Sequence, residues 1–179
     1  MAQGVAGQAA PREFVHNPLE VIDLPDRIVP GVGRIYTTPV GELPSVTTLL
    51  KDVPDESNPN WLEDWKKRLG EEEAARQSGR AISRGRQLHS VVERYLLGDQ
   101  EWFYGVMPST LANFKSIRRV IDEGVGSVYG VEVPLYSERL QTAGRSDLIC
   151  GYRGWNSIVD WKGSNNPKQP HMIQHINFL

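Results

Sequence analysis

The chain is expected to adopt an α+β fold with a central mixed sheet. An antiparallel hairpin lies within that sheet, helices flank it, and a helical region precedes it. Three observations predict this. Apolar residues recur at helical spacing from Trp61 to about Gly124. Strand-like runs then fill "SVYGVEVPLY", "LQTAGRSDLICGY" and "NSIVDWKG". Helices therefore come before strands instead of alternating with them, which argues against a doubly wound sheet.

The elements follow in order. Residues 1–30 are rich in Gly, Ala and Pro, including Pro11, Pro18, Pro25 and Pro30, and predict a mobile or extended arm. Residues 31–179 make one domain. "GRIYTTPVGELPS" predicts a hairpin around Pro39-Val40-Gly41. Ser45 is placed to cap a short helix, "VTTLLKDV", and "PDESNPN" is a loop. Trp61, Leu62, Trp65 and Leu69 form one stripe of a helix, which Ser78-Gly79 should break or kink. A second helix is expected from about Ile82 to Leu97, and a third, "STLANFKSIRRVIDEG", follows Pro108. "PHMIQHINFL" predicts an amphipathic tail helix without a cap, so the core is expected to be incomplete at its C-terminus.

Composition narrows the function. At 39% hydrophobic and 23% charged residues, the 179-residue chain is ordinary for a globular protein. It lacks an apolar run long enough for a membrane helix and an apolar leader at its N-terminus, so a membrane is not an expected partner. Cys150 is the single cysteine, which excludes an intrachain disulfide and a cysteine-rich zinc knuckle. A reducing, cytoplasmic compartment fits. With a net charge of −2, any nucleic-acid site must be a local basic patch.

"GRSDLICGYRGWNSIVDWKGS" holds two strand-like runs joined at Arg153-Gly154. A two-residue turn there sets Asp147 opposite Asp160, Arg145 opposite Lys162 and Ile149 opposite Ile158. Opposed carboxylates in a half-buried sheet repel unless one is protonated or a cation lies between them. A hard divalent cation with oxygen ligands suits the pair. Such an ion would polarise a phosphodiester, and Lys162 would offset charge developing in the transition state. The other reading makes Asp147 and Asp160 solvent-facing, with Arg145 and Lys162 as surface ion-pair partners. Spacing alone leaves both open. Apolar residues on both faces of "SIVDWKGS" suggest a central strand, where buried charges need a reason.

His89 and Glu93 share a helical ridge at the border of the Leu88, Val92 and Leu96 stripe. There His89 could be a third metal ligand, or simply a histidine satisfied beside a core. Arg76, Arg80, Arg84 and Arg86 lie within eleven residues. Arg80, Arg84 and Arg86, with Arg145 on the hairpin, are candidate DNA-phosphate contacts. Balance by Glu71, Glu72 and Glu73 on a solvated face is the alternative.

Taken in order, these motifs resemble the RecB-like nucleases of the PD-(D/E)XK superfamily. Gly-x-x-Asp is Gly144 to Asp147, Asp-Trp-Lys is Asp160-Trp161-Lys162, and Gly-x-x-x-His-x-x-x-Glu is Gly85, His89 and Glu93. "LPSVTTLL" and "WLEDWKKRL" also look like the family's N-terminal region, so the resemblance spans about residues 33–179. It implies a restriction-endonuclease-like core and DNA cleavage dependent on Mg²⁺ or Mn²⁺. By that resemblance His89, Asp147, Asp160 and the carbonyl of Trp161 bind metal. Asp147, Asp160 and Lys162 are catalytic, with Glu93 and Glu132 as supporting acids. Single-stranded DNA degraded from its ends is the substrate implied, in a host cytoplasm if the chain is of phage origin. A DNA-end-binding module that does not cleave is the alternative. Two departures stand out. Gly163 replaces the usual Thr, and the chain stops about where a Gln-x-x-x-Tyr motif should begin.

Overall fold

A computed structural model describes residues 10–50 and 60–163. The expected tail helix, the C-terminal incompleteness of the core and most of the "PDESNPN" loop fall outside them. Four short strands come first: β1 (Val15–His16), β2 (Asp26–Val29), β3 (Gly33–Thr38) and β4 (Gly41–Pro44). Four helices follow: α1 (Val46–Leu50), α2 (Trp61–Leu69), α3 (Glu71–Leu96) and α4 (Pro108–Gly124). Three longer strands complete the order: β5 (Val125–Ser137), β6 (Thr142–Tyr152) and β7 (Trp155–Val159). The described chain is thus α+β, with a mixed sheet flanked by helices.

That sheet runs β1-β5-β6-β7. Only the β1–β5 pairing is parallel; β5–β6 and β6–β7 are antiparallel. Its helix-facing side closes on a core of Leu88, Val91, Val92, Tyr95, Phe114, Leu148 and Cys150, among others. Tyr95, Trp102 and Phe114 meet at 4.8–5.5 Å between ring centroids in tilted and edge-on contacts, geometry that aromatic quadrupoles favour.

The N-terminal stretch is extended from residue 10 onward and also pairs, which its composition did not announce. β1 joins the main sheet, and β2 joins β3 and β4 in a second sheet with its own small core of Leu24, Tyr36, Leu43 and Ala143. The hairpin expected at Pro39-Val40-Gly41 is β3–β4. Ser45 caps α1, its Oγ accepting the Thr48 N–H at 3.0 Å.

Two expectations are corrected, and one helix stripe proves open. Ser78-Gly79 does not interrupt a helix: α3 passes through both residues, and the chain instead breaks at Gly70, whose φ of 81° is left-handed. One glycine within a long helix costs only about 1 kcal/mol relative to alanine, too little to end it. The apolar stripe of α2 does not enter a core; no α2 residue is buried, and Trp61 is 50% exposed. Periodicity reports that a helix is amphipathic, not what covers it. Finally, β7 is an edge strand among the described residues, not a central one, and Ile158 is 69% exposed.

Candidate metal centre

The Arg153-Gly154 turn forms as expected. Both residues have positive φ, 49° and 86°, the backbone that a two-residue hairpin requires. The ladder pairs Tyr152 with Trp155 through to Leu148 with Val159. It stops one step short of Asp147 and Asp160. Beyond Val159 the chain leaves the strand, and the Trp161 N–H donates to Asp147 Oδ2 at 2.7 Å. Asp160 turns to Lys162, whose ammonium lies 2.9 Å from its carboxylate, and both side chains are well exposed.

The acid opposed to Asp147 is Glu132. On β5 and β6, Val131 pairs with Leu148 and Val133 with Ser146, which brackets Glu132 across from Asp147. Glu132 has φ of 52°, a left-handed conformation that a non-glycine residue adopts in a strand only under constraint. Arg145 supplies part of that constraint, its guanidinium donating to the Glu132 carbonyl at 3.3 Å. From α3, His89 reaches the same place. Its Nδ1 is 3.4 Å from Asp147 Oδ1, and its Nε2 is 2.7 Å from the Trp161 carbonyl. Ligand atoms of His89, Glu132 and Asp147 all lie within 4.8 Å of one another.

Electrostatics follow from this crowding. The Asp147 hydrogen bond raises the His89 pKa above the usual imidazole value, reinforced by the charge of Asp147 and the Trp161 carbonyl, although burial opposes it. Burial pushes the Asp147 carboxyl up, but hydrogen bonds from His89 and Trp161, with the charges of His89 and Lys162, hold it below the ordinary range. Glu132 is raised by burial, then by repulsion from Asp147 and Glu93. Two carboxylates sharing a half-buried place repel, and a divalent cation held between them would relieve that repulsion. Two carboxylate oxygens and an imidazole nitrogen suit a small divalent ion that keeps water ligands.

The structure therefore brings His89 and Asp147 together and adds Glu132, which motif spacing had given only a supporting role. It places Glu93 within electrostatic reach of Glu132. It does not bring Asp160 into the cluster. Arg80, Arg84 and Arg86 lie exposed on α3 ahead of His89, and Arg145 is exposed on β6. One signal for Glu132 was available: it is the single acid in the otherwise uncharged run "SVYGVEVPLY".

Comparison with known proteins adds a relationship. No family model matches the chain. Mitochondrial genome maintenance exonuclease 1 of Mus musculus is 29% identical over 130 residues, covering 70% of this chain and 38% of the relative. The protein of that name in Xenopus tropicalis is 30% identical over 132 residues, 72% of this chain and 38% of the relative. The Homo sapiens protein is 27% identical over 160 residues, 86% of this chain and 46% of the relative. The chain spans less than half the length of these relatives, yet over most of its own length it is similar to proteins named as exonucleases.

Proposed function

We propose that the chain is the core of a divalent-metal-dependent deoxyribonuclease, a RecB-like member of the PD-(D/E)XK superfamily that trims single-stranded DNA from free ends. The observation that carries this reading is the convergence of His89, Glu132 and Asp147 from a helix and two strands, beside the Asp160–Lys162 segment. The similarity to exonucleases supports it. The ion would be Mg²⁺ or Mn²⁺, held by those three side chains with the Trp161 carbonyl beside them. When bound, it supplies Lewis acidity toward a phosphoryl oxygen and a nucleophilic water at neutral pH.

The chain's own residues do the rest. His89 must shed a proton to ligate, because both of its ring nitrogens face oxygens. Asp147 orients the segment after β7 through the Trp161 N–H. That segment carries Lys162, which would release Asp160 to face a phosphate and offset its growing charge. Arg86 and Arg145 would steer the backbone of the strand toward the site. A reducing compartment, such as the cytoplasm of a phage host, is the location we propose; the relatives are named as mitochondrial.

The Lys162–Asp160 pair favours a second reading, a module that binds DNA ends without cutting them. Digestion of end-labelled single-stranded oligonucleotides in Mg²⁺ or Mn²⁺ separates the two. The nuclease reading expects cleavage by the parent chain and a loss of about 100-fold or more in Lys162→Ala, with folding unchanged by circular dichroism. Equal rates for parent and variant would remove Lys162 from the mechanism. A parent that retards the oligonucleotide in a gel but never shortens it would support the binding module.

A further inference from the structure

α2 lies against the outer half of α3, and a groove of about 450 Å³ runs between them. Trp61, Leu62 and Trp65 line it from α2, and Arg80, Ala81 and Arg84 from α3. Two features of this groove are unusual for a simple helix–helix contact. Its aromatic wall is not sealed: Trp61 is 50% and Leu62 43% exposed. Its basic wall is only lightly engaged: among the described residues, neither Arg80 nor Arg84 forms a hydrogen bond or ion pair, and Arg80 meets Glu73 through charge alone. The acidic side chain in the lining, Glu73, is already occupied by Arg76 and by Gln77 at 3.0 Å.

The two walls are regularly spaced. Trp61 and Trp65 are four apart on one ridge of α2, as Arg80 and Arg84 are on α3, so each pair rises about 6 Å along its helix. Flat apolar rings opposite a row of exposed guanidiniums match a ligand with π faces on one side and repeating anions on the other. An apolar peptide would leave both arginines unanswered, and duplex DNA hides its base faces. We infer that this groove is a single-stranded nucleic-acid subsite, with bases stacked on Trp61 and Trp65 and phosphates paired with Arg80 and Arg84. The inference rests on the nuclease reading for its substrate class but not for its geometry.

Its position sets its role. Arg84 is five residues before His89, about 8 Å along α3, and faces a side of the helix about 140° away. A strand in the groove must therefore cross α3 to reach the cluster. The groove grips nucleotides remote from the bond being cut, and it contributes to affinity and minimum substrate length, not to the chemical step.

The test is fluorescence anisotropy of a labelled 20-mer of thymidylate in EDTA at low salt. The parent is compared with Trp61→Leu/Trp65→Leu and with Trp61→Phe/Trp65→Phe. Expected is a loss of about tenfold or more in the leucine pair and near-parent binding in the phenylalanine pair. Leucine keeps the apolar bulk, so a purely structural role would leave that pair unchanged. Parent binding with an unaffected leucine pair overturns the groove and spares the nuclease reading. So does a leucine pair that alters only the sedimentation state, which would mark the groove as a protein-docking face. A parent that cuts but whose binding ignores both aromatic double changes has the same meaning. A parent with no measurable affinity for the oligonucleotide overturns both readings together.

Discussion

The Asp147 carboxylate faces an imidazole, a backbone N–H and a second acid at once. Its partners make the centre a competition between protons and cations. Mn²⁺ binding, followed by calorimetry, should weaken by about tenfold or more in Asp147→Asn and in Glu132→Gln. Retained affinity in Glu132→Gln with a loss in Asp160→Asn would move the ion to the pair that strand spacing suggests. Without metal the sign of the pH effect is set by the raised His89 pKa. The imidazolium's stabilising contribution is complete below the ordinary value of about 6.5 and fades as pH climbs through the higher folded value. Parent protein should therefore lose its advantage in Tm over His89→Gln as pH climbs above about 6.5 in EDTA. Metal affinity should rise over the same interval, because the proton leaving His89 vacates a ligand. A Tm difference that is flat with pH would show that the charged imidazole is not part of the folded site.

At the scale of elements, glycines and turns decide most of the outcome. Gly79 sits mid-helix with open space where a Cβ would stand, so Gly79→Ala should stabilise the protein by about 0.5–1 kcal/mol in urea titrations. Gly124 is the opposite case: a Cβ there would fall 2.1 Å from the Tyr152 ring, so Gly124→Ala should destabilise. Much of the hairpin was legible beforehand. Gly154 in a short polar gap between alternating runs specifies the turn, and the turn specifies the β6–β7 register. The opposition of Glu132 and Asp147 was not legible. β5 and β6 are joined by a turn over residues 138–141, and one unbroken register runs from Ser137–Thr142 to Val131–Leu148; the pairing follows from the bounds of that turn, which no glycine or proline marks in the sequence. The repulsion argument named Asp160 as the opposing acid; the β6–β7 ladder ends one step before it, and the β5–β6 ladder sets Glu132 across from Asp147. The motif residues His89 and Asp147 were legible because each sits on an element whose face its apolar neighbours determine. Asp160 was not, because an edge strand may stop a residue early at little cost.

Across the whole molecule, the N-terminal stretch is tied to the helical layer by a polar cluster around Tyr95. Its hydroxyl donates to Asp122 Oδ1 at 2.6 Å and accepts from Arg118 Nε at 3.1 Å and the Arg12 N–H at 3.3 Å. The Arg12 guanidinium also reaches the carbonyls of Asp122 and Val125, at the end of α4. Tyr95→Phe should cost roughly 1–3 kcal/mol in denaturant titration and open residues 10–14 to proteolysis. An unchanged cleavage pattern would show that the tie does not depend on that hydroxyl. A different coupling follows from α3. It is one unbroken spar about 39 Å long, anchored in the body at one end and bathed in solvent along the other. With no joint between them, the arginine-bearing outrigger and the imidazole form a single lever. Any pull on the outer half arrives at His89 as tilt, whatever does the pulling.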